Sequence, residues 1–599
     1  MGRRWGLRLV IGATVVLVAA GAAGAAHAAS TSVARTGAIL LDGRPVFPIV
    51  LAPGPLPGTT TPWGTDALAE TVAAGVDVFK VGPGNGWTGN DLASTIAWDQ
   101  AAAALGAYTW VNLNGYASAR PRSADDWALA QVVHRLTNDP SGSAIAFWKG
   151  RDEPWWHGRP PASLRFAYCR VTSRGKASWC HGERPLAPDR LWVTIEAPRG
   201  TAADLRRYGA VTDVHGIDDY PITLANPSPN LNLVGSWTRM LASARPAVPV
   251  WTTLQICAKG SFSASNGTFV LPTLQQERYM AYDAILNGAR ALAFYGGNVA
   301  GCWSPTDAQY GWNWTFWQNV LQPLVGELSA SSPIAPALDA PETSRPVKTS
   351  DASTKAVLRD GTSPDDLWLI AARSGAGTET VTFSGLPAWV TSGSVYTENR
   401  TVTAAGGSFS DEFGQWDVHV YHFVEPLTLE SQQPASGTAG TKVALGGAGL
   451  AATTSVTFDG HAARFRIVSD NEVVATVPAS ARSGPLVVES ATSSVTSASS
   501  FAVLPSAGSP PRIRGLPRVG RILTASRGSW RGDPPTRTTF LWERCDAHGL
   551  GCNGIPGATG QRIRLGTKAL GKTFRVIVTV QTDTGSASAR SQATPRVVR

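Results

Sequence analysis

This chain of 599 residues has only six cysteines and three methionines, and only 16% of its residues are charged. After the first 20 residues, no apolar run is long enough to span a bilayer. The chain also lacks the Gly-x-Ser-x-Gly motif, the His-Glu-x-x-His motif and any cluster of histidine and aspartate at metal-ligand spacing. The sequence therefore does not favour a hydrolase with a serine nucleophile or a zinc protease, and we expect no metal site and no cofactor.

The N-terminus has the three parts of a secretory signal peptide. Three arginines precede an apolar run over residues 9–20, and small residues follow it, ending in Ala26-His-Ala-Ala29. This order predicts cleavage after Ala28, so that residues 1–28 are a signal peptide. We therefore expect a secreted protein, extracellular or loosely associated with the cell surface, with no membrane span after signal cleavage.

The six cysteines fall into three local pairs. In an exported chain an even number of cysteines favours disulfides over metal ligands, and no pair has the neighbouring Cys or His of a zinc site. The expected pairs are Cys169 with Cys180, Cys257 with Cys302, and Cys545 with Cys552. The sequence alone leaves other connectivities open.

The net charge of +9 is distributed unevenly along the chain. Residues 507–599 carry 16 Lys and Arg against four Asp and Glu, whereas residues 30–506 carry 33 basic and 39 acidic groups. The basic C-terminal region suggests adhesion to anionic cell-wall polymers, and the alternative is an evenly spread, solvated charge. Its arginines lie in segments whose alternating apolar and polar residues predict strands, and there is neither a DNA-recognition helix nor an aromatic RNA-binding motif. We therefore expect no nucleic-acid partner.

Between residues 37 and 331, eight strand-like apolar runs alternate with helix-like amphipathic stretches. The strand candidates are 46–53, 76–81, 107–112, 144–150, 191–196, 211–217, 250–254 and 291–295. Strict alternation of this kind predicts a parallel sheet closed into a (β/α)8 barrel. The alternative is a doubly wound open sheet, which is weakened because no glycine-rich phosphate loop follows the first strand. The dipeptide Asp42-Gly43 predicts a hairpin over residues 38–47 that caps the bottom of the barrel.

Three β domains are predicted after the barrel, which makes the chain a multidomain protein. Short alternating strands over residues 343–424 are typical of a small antiparallel β domain. Residues 427–504 resemble the IPT/TIG family of immunoglobulin-like domains, on Pro434-Ala-Ser-Gly437, Gly446-Gly-Ala-Gly449 and Val456-Thr-Phe-Asp-Gly460. The resemblance implies a β-sandwich, in which glycines and prolines mark the turns between short strands.

The last module, residues 511–599, resembles the immunoglobulin-like appendages of exported bacterial proteins. The resemblance is carried by Val519-Gly-Arg-Ile-Leu-Thr-Ala525, by Gly528-Ser-Trp530 and by Trp542-Glu-Arg-Cys545 with Cys552. It implies a second β-sandwich. A spacer or a surface-binding role is expected for it.

In a (β/α)8 barrel the chemistry lies at the carboxyl ends of the strands. The fourth predicted strand ends in Gly150-Arg-Asp-Glu-Pro154, which resembles the Asn-Glu-Pro that ends this strand in the large clan of retaining (β/α)8 glycosidases. The resemblance implies that Glu153 is the catalytic acid, because a carboxyl group beside aromatic surface is desolvated and its pKa rises. The structural alternative is a strand-end Glu153 that caps a helix or pairs with Arg151.

The chain departs from that clan at two positions. Asp152 stands where an asparagine holds a sugar hydroxyl, which leaves Asp152 as a substrate-binding candidate. The seventh strand ends in Gln255, where the clan places its nucleophilic glutamate, and a neutral amide cannot form a glycosyl ester, so Gln255 is expected to contact the substrate instead. If the barrel hydrolyses glycosides, another carboxylate serves as nucleophile or base.

Two other strand ends offer that carboxylate. The sixth strand ends in Asp218-Asp219-Tyr220-Pro221, resembling the Asp-x-Tyr-Pro ending of glycosidase-like barrels that also carry Asp-Glu-Pro. Neighbouring strand residues point to opposite sides, so only one of Asp218 and Asp219 is expected to face the cleft, with Tyr220 as a substrate contact. The fifth strand ends in Glu196. For each carboxylate, a purely structural role is the alternative.

The chain has 22 tryptophans, and several follow predicted strand ends. Trp87, Trp155 and Trp303 are candidates for stacking on the apolar C–H faces of sugar rings, and the alternative is packing in the core. A disulfide between Cys257 and Cys302 would tie together the loops after strands seven and eight, which are neighbours in a closed barrel.

These patterns predict a secreted glycosidase that acts on a carbohydrate substrate by two-carboxylate chemistry, with Glu153 as the acid and Asp218, Asp219 or Glu196 as its partner. The alternative from another class is a catalytically inactive carbohydrate-binding or cell-surface adhesive protein on a glycosidase scaffold, and Gln255 favours it.

Overall fold

The computed structural model describes residues 29–84, 86–172, 180, 184–258, 270–341, 345–363, 365–491 and 493–599. The predicted signal peptide, residues 1–28, lies outside these residues. The chain divides into two compact units, Met1–Ser332 and Pro333–Arg599.

The first unit is built around a closed barrel of eight parallel strands, which confirms the predicted fold class. In chain order the barrel strands are β4 (Ile49–Ala52), β5 (Val78–Val81), β6 (Tyr108–Asn112), β7 (Ile145–Asp152), β8 (Leu191–Glu196), β9 (Val214–Asp218), β10 (Val250–Gln255) and β11 (Ala289–Tyr295). β11 pairs with β4 and closes the sheet, and the order of strands in space follows their order in the sequence. The open doubly wound alternative is therefore wrong.

Helices follow every barrel strand. They are α1 (Ala67–Ala74), α2 (Gly89–Ala104), α3 (Ala124–Asn138), α4 (Arg165–Thr172), α5 (Ala202–Tyr208), α6 (Leu233–Ala244), α7 (Leu274–Leu286), α8 (Trp314–Phe316) and α9 (Gln322–Leu328), with a π-helical turn at Trp317–Leu321. Thr88, Thr201 and Thr273 each begin a helix with a reciprocal capping box. These boxes satisfy amide groups that a helix leaves free at its first turn, so the sequence itself sets where α2, α5 and α7 begin. Short 3-10 turns lie at Asn114–Tyr116, Pro140–Ala144, Pro161–Ser163, Ala300–Cys302 and Asp307–Gln309.

The segment before the barrel forms a three-stranded antiparallel sheet of β1 (Thr31–Val33), β2 (Ile39–Leu41) and β3 (Arg44–Val46). The predicted hairpin is confirmed, since β2 pairs with β3 across Asp42-Gly43. The Thr31 hydroxyl donates to the Ala146 carbonyl at 2.9 Å and accepts from the Leu191 amide at 2.8 Å, near the amino ends of β7 and β8. The small sheet therefore lies at the bottom of the barrel.

The barrel interior is a packed core. Trp110 and Trp251 are buried, with ring centroids 4.9 Å apart, and Phe147 meets Trp251 edge to face at 5.3 Å. Large side chains of this kind fill the lumen, so a ligand can enter the barrel only at an end. Many other tryptophans are also buried, whereas Trp63, Trp127 and Trp156 are exposed.

All three expected disulfides are present: Cys169–Cys180, Cys257–Cys302 and Cys545–Cys552. The second joins the segment after β10 to the segment after β11, as the barrel order predicts.

We expect loss of the Cys257–Cys302 disulfide to destabilise the barrel by about 2–4 kcal/mol, because the bond closes a loop of 45 residues and restricts the unfolded chain. The double substitution Cys257→Ser with Cys302→Ser is measured by denaturant unfolding of the oxidised protein. Cys545→Ser with Cys552→Ser, which opens a loop of only seven residues, is the matched control with the smaller expected loss. Equal losses for the two pairs would contradict the loop-closure explanation.

The second unit begins with a helix, α10 (Ala335–Asp339), and its other described elements are mainly antiparallel β sheets. Strands β12 (Lys348–Thr349), β13 (Thr354–Asp360), β14 (Asp366–Arg373), β15 (Glu379–Ser384), β16 (Ser392–Val395), β17 (Arg400–Thr403), β18 (Ser408–Phe413) and β19 (Val418–Val424) form a three-stranded and a five-stranded sheet. They enclose one apolar cluster that includes Phe383, Phe409 and Tyr421. We call this part the small β domain.

The next strands form two four-stranded sheets, which face a common core containing Phe458 and Phe501, and a two-stranded parallel sheet of the second and the last of them. They are β20 (Ser431–Gln433), β21 (Ser436–Gly437), β22 (Lys442–Gly446), β23 (Ser455–Phe458), β24 (His461–Ala462), β25 (Arg464–Ser469), β26 (Glu472–Thr476), β27 (Leu486–Glu489), β28 (Ser494–Thr496) and β29 (Ala502–Val503), with a 3-10 turn at Leu450–Ala452.

The last module packs around the buried Trp542. Its strands are β30 (Ser506–Ser509), β31 (Ile513–Arg514), β32 (Ile522–Ala525), β33 (Ser529–Arg531), β34 (Arg537–Cys545), β35 (Asn553–Gly554), β36 (Arg562–Arg564), β37 (Thr573–Thr582) and β38 (Gly585–Arg590), with a 3-10 turn at Thr567–Ala569. Among the described residues of the whole chain, no helix has the length and apolarity needed to cross a membrane.

Candidate active site

A cavity of about 340 Å³ opens at the carboxyl ends of the barrel strands. Every barrel strand, or the residue or two after it, contributes to the lining, which consists of Ala52, Lys80, Trp110, Lys149, Asp152, Glu153, Ile195, Asp218, Tyr220, Thr253 and Tyr295. Three carboxyl groups and two ammonium groups therefore share one small space over the packed core. We call it the barrel-mouth cavity.

A larger cavity, about 590 Å³, is lined by residues near the bottom sheet, among them Val33 and Arg35. Asp213 is the one carboxylate among its described lining residues, and it accepts hydrogen bonds from the Tyr168 hydroxyl and the Trp192 amide. A single, structurally engaged carboxylate cannot perform two-carboxylate chemistry. The barrel-mouth cavity is therefore the candidate active site.

A bulge near the end of β7 positions two neighbouring carboxylates. Lys149 lies opposite Val193 of β8, but Asp152 lies opposite Ile195, so β7 contains one extra residue. Glu153 then adopts a left-handed backbone, with a φ of 43°, and its amide donates to the Ile195 carbonyl at 2.7 Å. A bulge re-aims side chains, and here both Asp152 and Glu153 line the cavity, although neighbouring residues of a regular strand face opposite sides.

Two lysines keep Asp152 ionised. The Lys149 ammonium lies 2.5 Å from Asp152 Oδ1, and the side chain of Lys149 is buried. Burial alone would raise the pKa of Asp152, but the positive charges of Lys149 and Lys80 outweigh it and hold this pKa below its ordinary value. Asp152 is therefore a fixed negative charge in the cavity at neutral pH.

The pKa of Asp218 is shifted in the opposite direction. Burial raises its pKa well above the ordinary value, and the negative charges of Glu153 and then Asp152 raise it further. The Tyr220 hydroxyl lies 3.4 Å from Asp218 Oδ2. Asp218 therefore holds a proton at a pH where Asp152 is ionised, and a cavity with one protonated and one ionised carboxyl group can donate and accept protons in the same reaction.

Lys80 is the second ammonium group of the cavity. Burial, with the neighbouring charge of Lys149, lowers the pKa of Lys80 to about 8. Its Nζ lies 5.8 Å from the centroid of the Tyr295 ring, which stacks on Tyr220 at 5.8 Å. A sugar ring presents hydroxyl groups at its edge and an apolar C–H face. An ammonium group beside two stacked aromatic rings offers hydrogen-bond donors to the hydroxyl groups and an apolar surface to the C–H face.

We expect Lys80→Met to stabilise the protein by about 2 kcal/mol at neutral pH, because a buried ammonium with a lowered pKa disfavours folding. The unfolded chain holds this proton up to about pH 10.4, so the gain is complete below pH 8 and disappears as the pH rises from 8 to that value. Denaturant unfolding at neutral and alkaline pH measures it. Lys149→Met is the matched control and should destabilise, because it leaves Asp152 without its ion-pair partner. A destabilised Lys80→Met protein at neutral pH would contradict this explanation.

The structure does not bring Asp219 or Glu196 into the cavity. Asp219 is buried and follows Asp218, but of the two only Asp218 lines the cavity. Glu196 is fully buried; its Oε2 accepts from the Trp155 amide at 3.2 Å and its Oε1 lies 3.6 Å from His215 Nε2. Of the carboxylates considered as partners of Glu153, only Asp218 lines the cavity with it.

Gln255 is fully buried and structural. Its side-chain amide donates to the carbonyls of Ile222 and Cys257 at 2.8 and 2.7 Å, and its oxygen accepts from the Ile222 amide at 2.9 Å. These bonds use the polar atoms of the amide to hold the segments after β9 and β10 together, and Gln255 does not line the cavity.

The three tryptophans considered for sugar stacking also lie outside the cavity lining. The Trp87 indole donates to the Asn112 carbonyl at 3.2 Å, and the Trp303 indole donates to the Gly297 carbonyl at 2.9 Å. Trp155 packs against an apolar cluster of Leu164, Tyr208 and Val211. The aromatic rings that do line the cavity are Trp110, Tyr220 and Tyr295. Outside it, Trp156 is exposed, with the Arg199 guanidinium 3.6 Å from its ring centroid.

The IPT/TIG family model, described as the IPT/TIG domain, matches residues 427–503. These residues form an IPT/TIG domain. The two four-stranded sheets of β20–β29 are its sandwich, as the resemblance implies. The IPT/TIG domain occupies a small part of the chain and carries no residue of the barrel-mouth cavity.

Solved structures similar to the chain are carbohydrate-active proteins. A gamma-CGTase from alkalophilic Bacillus clarkii is 12% identical and has a TM-score of 0.39, with 92% of this chain and 98% of that chain covered. An alpha-amylase from Geobacillus thermoleovorans, complexed with acarbose, is 10% identical with a TM-score of 0.40, covering 64% of this chain and 99% of that one. A GH30 endoxylanase from Clostridium papyrosolvens is 11% identical with a TM-score of 0.36, covering 66% and 98%.

No curated protein matches the chain in sequence. At these identities and TM-scores the solved structures assign no activity to this chain, and its chemistry is inferred from the cavity itself.

The sequence analysis missed seven residues of the cavity lining: Ala52, Lys80, Trp110, Lys149, Ile195, Thr253 and Tyr295. A signal for the lysines was present, because Val78-Phe-Lys-Val81 and Ile145-Ala-Phe-Trp-Lys149 each place a lysine inside an otherwise apolar strand. A buried lysine is rare unless it is paired or functional. Tyr295 ends an apolar strand with no feature that separates it from a core residue.

Proposed function

We propose that the barrel hydrolyses O-glycosidic bonds of a poly- or oligosaccharide, with Asp218 as the general acid and Glu153 as the partner carboxylate. The observation that carries the proposal is the opposite effect of the cavity on the pKa values of Asp218 and Asp152, which places a protonated and an ionised carboxyl group together. After burial, the negative charge of Glu153 contributes most to the raised pKa of Asp218.

The division of roles follows from burial. Glu153 keeps 29% of its side chain exposed, and its Oε2 lies 3.4 Å from His157 Nε2. Asp218 is partly buried as a residue, and its Oδ1 is shielded from solvent without a hydrogen-bond donor among the described residues. When two nearby carboxyl groups share one proton, the more buried group holds it. This exchanges the roles that the resemblance of the fourth strand implies, because Glu153 becomes the ionised member of the pair.

In the proposed reaction Asp218 donates its proton to the glycosidic oxygen, and the bond from that oxygen to the anomeric carbon breaks with its electron pair left on the oxygen. In one route Glu153 takes a proton from water as the water oxygen bonds to the anomeric carbon, and this proton returns to Asp218 through solvent. In the other route Glu153 attacks the anomeric carbon and forms a glycosyl ester. The Asp218 carboxylate then takes a proton from a water whose oxygen bonds to the anomeric carbon, the ester bond breaks, and Glu153 leaves as a carboxylate. In both routes the products are a sugar with a free anomeric hydroxyl and the released alcohol. Asp152, held by Lys149, contributes a fixed negative charge near the developing positive charge of the sugar ring.

The lining suits a carbohydrate. Tyr220 and Tyr295 stack with an interplanar angle of 14°, and together with Trp110 they provide apolar surface for the C–H face of a sugar. Lys80 donates to hydroxyl groups on its edge. Asp152, Lys80, Tyr220 and Tyr295 are therefore the proposed substrate-binding residues, and the proposed chemistry requires no cofactor.

We also propose that the protein is exported and works outside the cell. The predicted signal peptide and the three disulfides support this location. The last module offers exposed arginines to anionic cell-wall polymers: Arg514, Arg562 and Arg564 lie on one sheet, in which Thr524 pairs with both Arg514 and Arg562.

The competing function is a barrel that binds carbohydrate without cleaving it. A screen of polysaccharides and aryl glycosides decides between the two, with the release of reducing ends or of the aryl alcohol as the readout. We expect turnover by the natural protein and by Asp219→Asn, which changes a neighbouring carboxyl outside the cavity, and none by Asp218→Asn on unactivated substrates. Binding of a glycan without turnover by the natural protein would favour the binding function.

A further inference from the structure

A second cluster of carboxylates lies in the unit Pro333–Arg599, away from the residues of the barrel-mouth cavity. It consists of Asp365, Glu425 and Asp470, with one carboxylate oxygen of each within 4.8 Å of the others. Asp365 immediately precedes β14 and Glu425 immediately follows β19, both in the small β domain. Asp470 lies in the turn between β25 and β26 of the IPT/TIG domain.

Backbone bonds hold the three residues in place. The Glu425 amide donates to the Asp365 carbonyl at 2.8 Å, so these two residues are neighbours in the sheet edge. The Leu450 amide donates to the Asp470 carbonyl at 2.8 Å, and the Ala451 amide approaches Asp470 Oδ1 at 3.4 Å. The carboxylates therefore converge because the folds of the two domains put them there, and free rotation of exposed side chains is not required.

Of the three carboxylates, Asp365 gives the clearest indication of a bound ligand. The residue is only 5% exposed, and its Oδ2 is buried and accepts no hydrogen bond from the described residues. A buried carboxylate oxygen without a donor is costly, and buried charges in proteins are usually paired or coordinate a metal. A positive partner facing the other two carboxylates would remove this cost.

The electrostatics of the cluster agree with that reading. Arg345 places one positive charge near Asp365 and Glu425, and Asp360 adds a further negative charge near Asp365. One arginine does not balance three carboxylates, so the cluster can accept a further positive charge.

We propose that Asp365, Glu425 and Asp470 bind one calcium ion that joins the small β domain to the IPT/TIG domain. Three carboxylates supply the hard oxygen ligands that calcium prefers, and the cluster contains no histidine or cysteine, which zinc and other transition metals favour. A cavity of about 370 Å³ borders Asp365 and Glu425, which leaves room for the ion and for the water that completes its coordination. Calcium accepts an irregular site of this kind more readily than magnesium does.

The site does not depend on the proposed hydrolysis. It fixes the orientation of one domain on the next by an ion that an extracellular medium supplies at millimolar concentration, the range in which extracellular calcium modules bind. The expected consequence of calcium is a more stable second unit with no change in the chemistry of the barrel.

Titration calorimetry of the full chain with CaCl2, after treatment with EDTA, tests the binding directly. We expect one ion per chain for the natural protein and for Glu430→Gln, a matched change of an exposed glutamate in the same unit, and no binding at this site for Asp470→Asn or Glu425→Gln. Natural protein that binds no calcium at about 5 mM, or a variant of the cluster that still binds the same number of ions, would overturn the proposal.

Thermal unfolding supplies a second readout that does not require the variants to bind anything. Calcium at about 5 mM should raise the melting temperature of the natural protein by about 5 °C. In EDTA, Asp470→Asn should melt above the natural protein, because it removes a repelling charge, and calcium should no longer shift it. Equal melting temperatures of the natural protein in EDTA and in calcium would show that the cluster holds a shared proton instead, which overturns the calcium site.

Discussion

Asp218→Asn should lower kcat/KM for polysaccharides and unactivated glycosides by about 1,000-fold, while dinitrophenyl glycosides lose far less. The reason is chemical: a poor leaving group must be protonated as the glycosidic bond breaks, whereas dinitrophenolate leaves without help. Asp218 is the carboxyl group in the cavity whose pKa burial raises well above its ordinary value, so it is the donor that the asparagine removes. The measurement is a series of aryl glycosides with leaving groups of graded pKa.

Asp219→Asn is the control for this experiment, because Asp219 is adjacent in sequence, is also buried and does not line the cavity. It should leave the dependence on the leaving group unchanged. A uniform loss for Asp218→Asn across all leaving groups would assign Asp218 to a role other than proton donation, and no loss at all would remove it from the reaction.

Glu153→Gln should lower turnover by about 1,000-fold or more on activated and unactivated substrates alike, because an amide neither attacks the anomeric carbon nor takes a proton from water. The loss is independent of the leaving group, which separates Glu153 from Asp218. The substitution should also lower the pKa of Asp218, since it removes the negative charge that contributes most, after burial, to raising it.

Azide with a truncated variant provides the check on Glu153. In Glu153→Ala, which leaves space for a small anion, azide should restore part of the turnover on dinitrophenyl glycosides, and it should do nothing for the natural protein. If Glu153→Gln spared dinitrophenyl glycosides and Asp218→Asn did not, the roles of the two residues would be the reverse of those proposed here, and Glu153 would be the acid that the fourth-strand motif implies.

The barrel itself could be predicted from the sequence because it depends on repeated signals. Eight apolar runs of strand length alternate with amphipathic stretches, and a register error in one of them does not change the topology. The predicted ends were also useful, because β8 spans the predicted residues 191–196 and most other strands differ by one to three residues at an end. The polar side chains at the predicted strand ends therefore correctly indicated that the cavity lies at the carboxyl end of the barrel.

The details of the cavity could not be predicted, because they depend on one extra residue. The bulge in β7 turns both Asp152 and Glu153 toward the cavity, whereas a regular strand would present one of them. Gly150 permits this path, since a Cβ at that position would lie 2.2 Å from the Trp192 indole nitrogen. A glycine before an acidic pair is a weak signal on its own, and its meaning depends on the neighbouring strand.

The choice among Asp218, Asp219 and Glu196 shows the same limit. Alternation required that only one of the two aspartates face the cleft, but the parity of β9 is set by its pairing with β8 and β10, which the sequence does not give. The cluster proposed to bind calcium could not be predicted from the sequence either, because Asp365, Glu425 and Asp470 are each separated by more than 40 residues along the chain.

The pH dependence of kcat/KM on an unactivated glycoside tests the central claim most directly, since this substrate needs a proton donor and the claim is a protonated Asp218 beside an ionised partner in one cavity. For the natural protein we expect a bell-shaped profile: activity rises as Glu153 ionises and falls as Asp218 loses its proton at a pH well above the usual carboxyl range. Asp218→Asn should remove the alkaline limb and keep the acid limb. An alkaline limb that persists unchanged in Asp218→Asn would contradict the assignment.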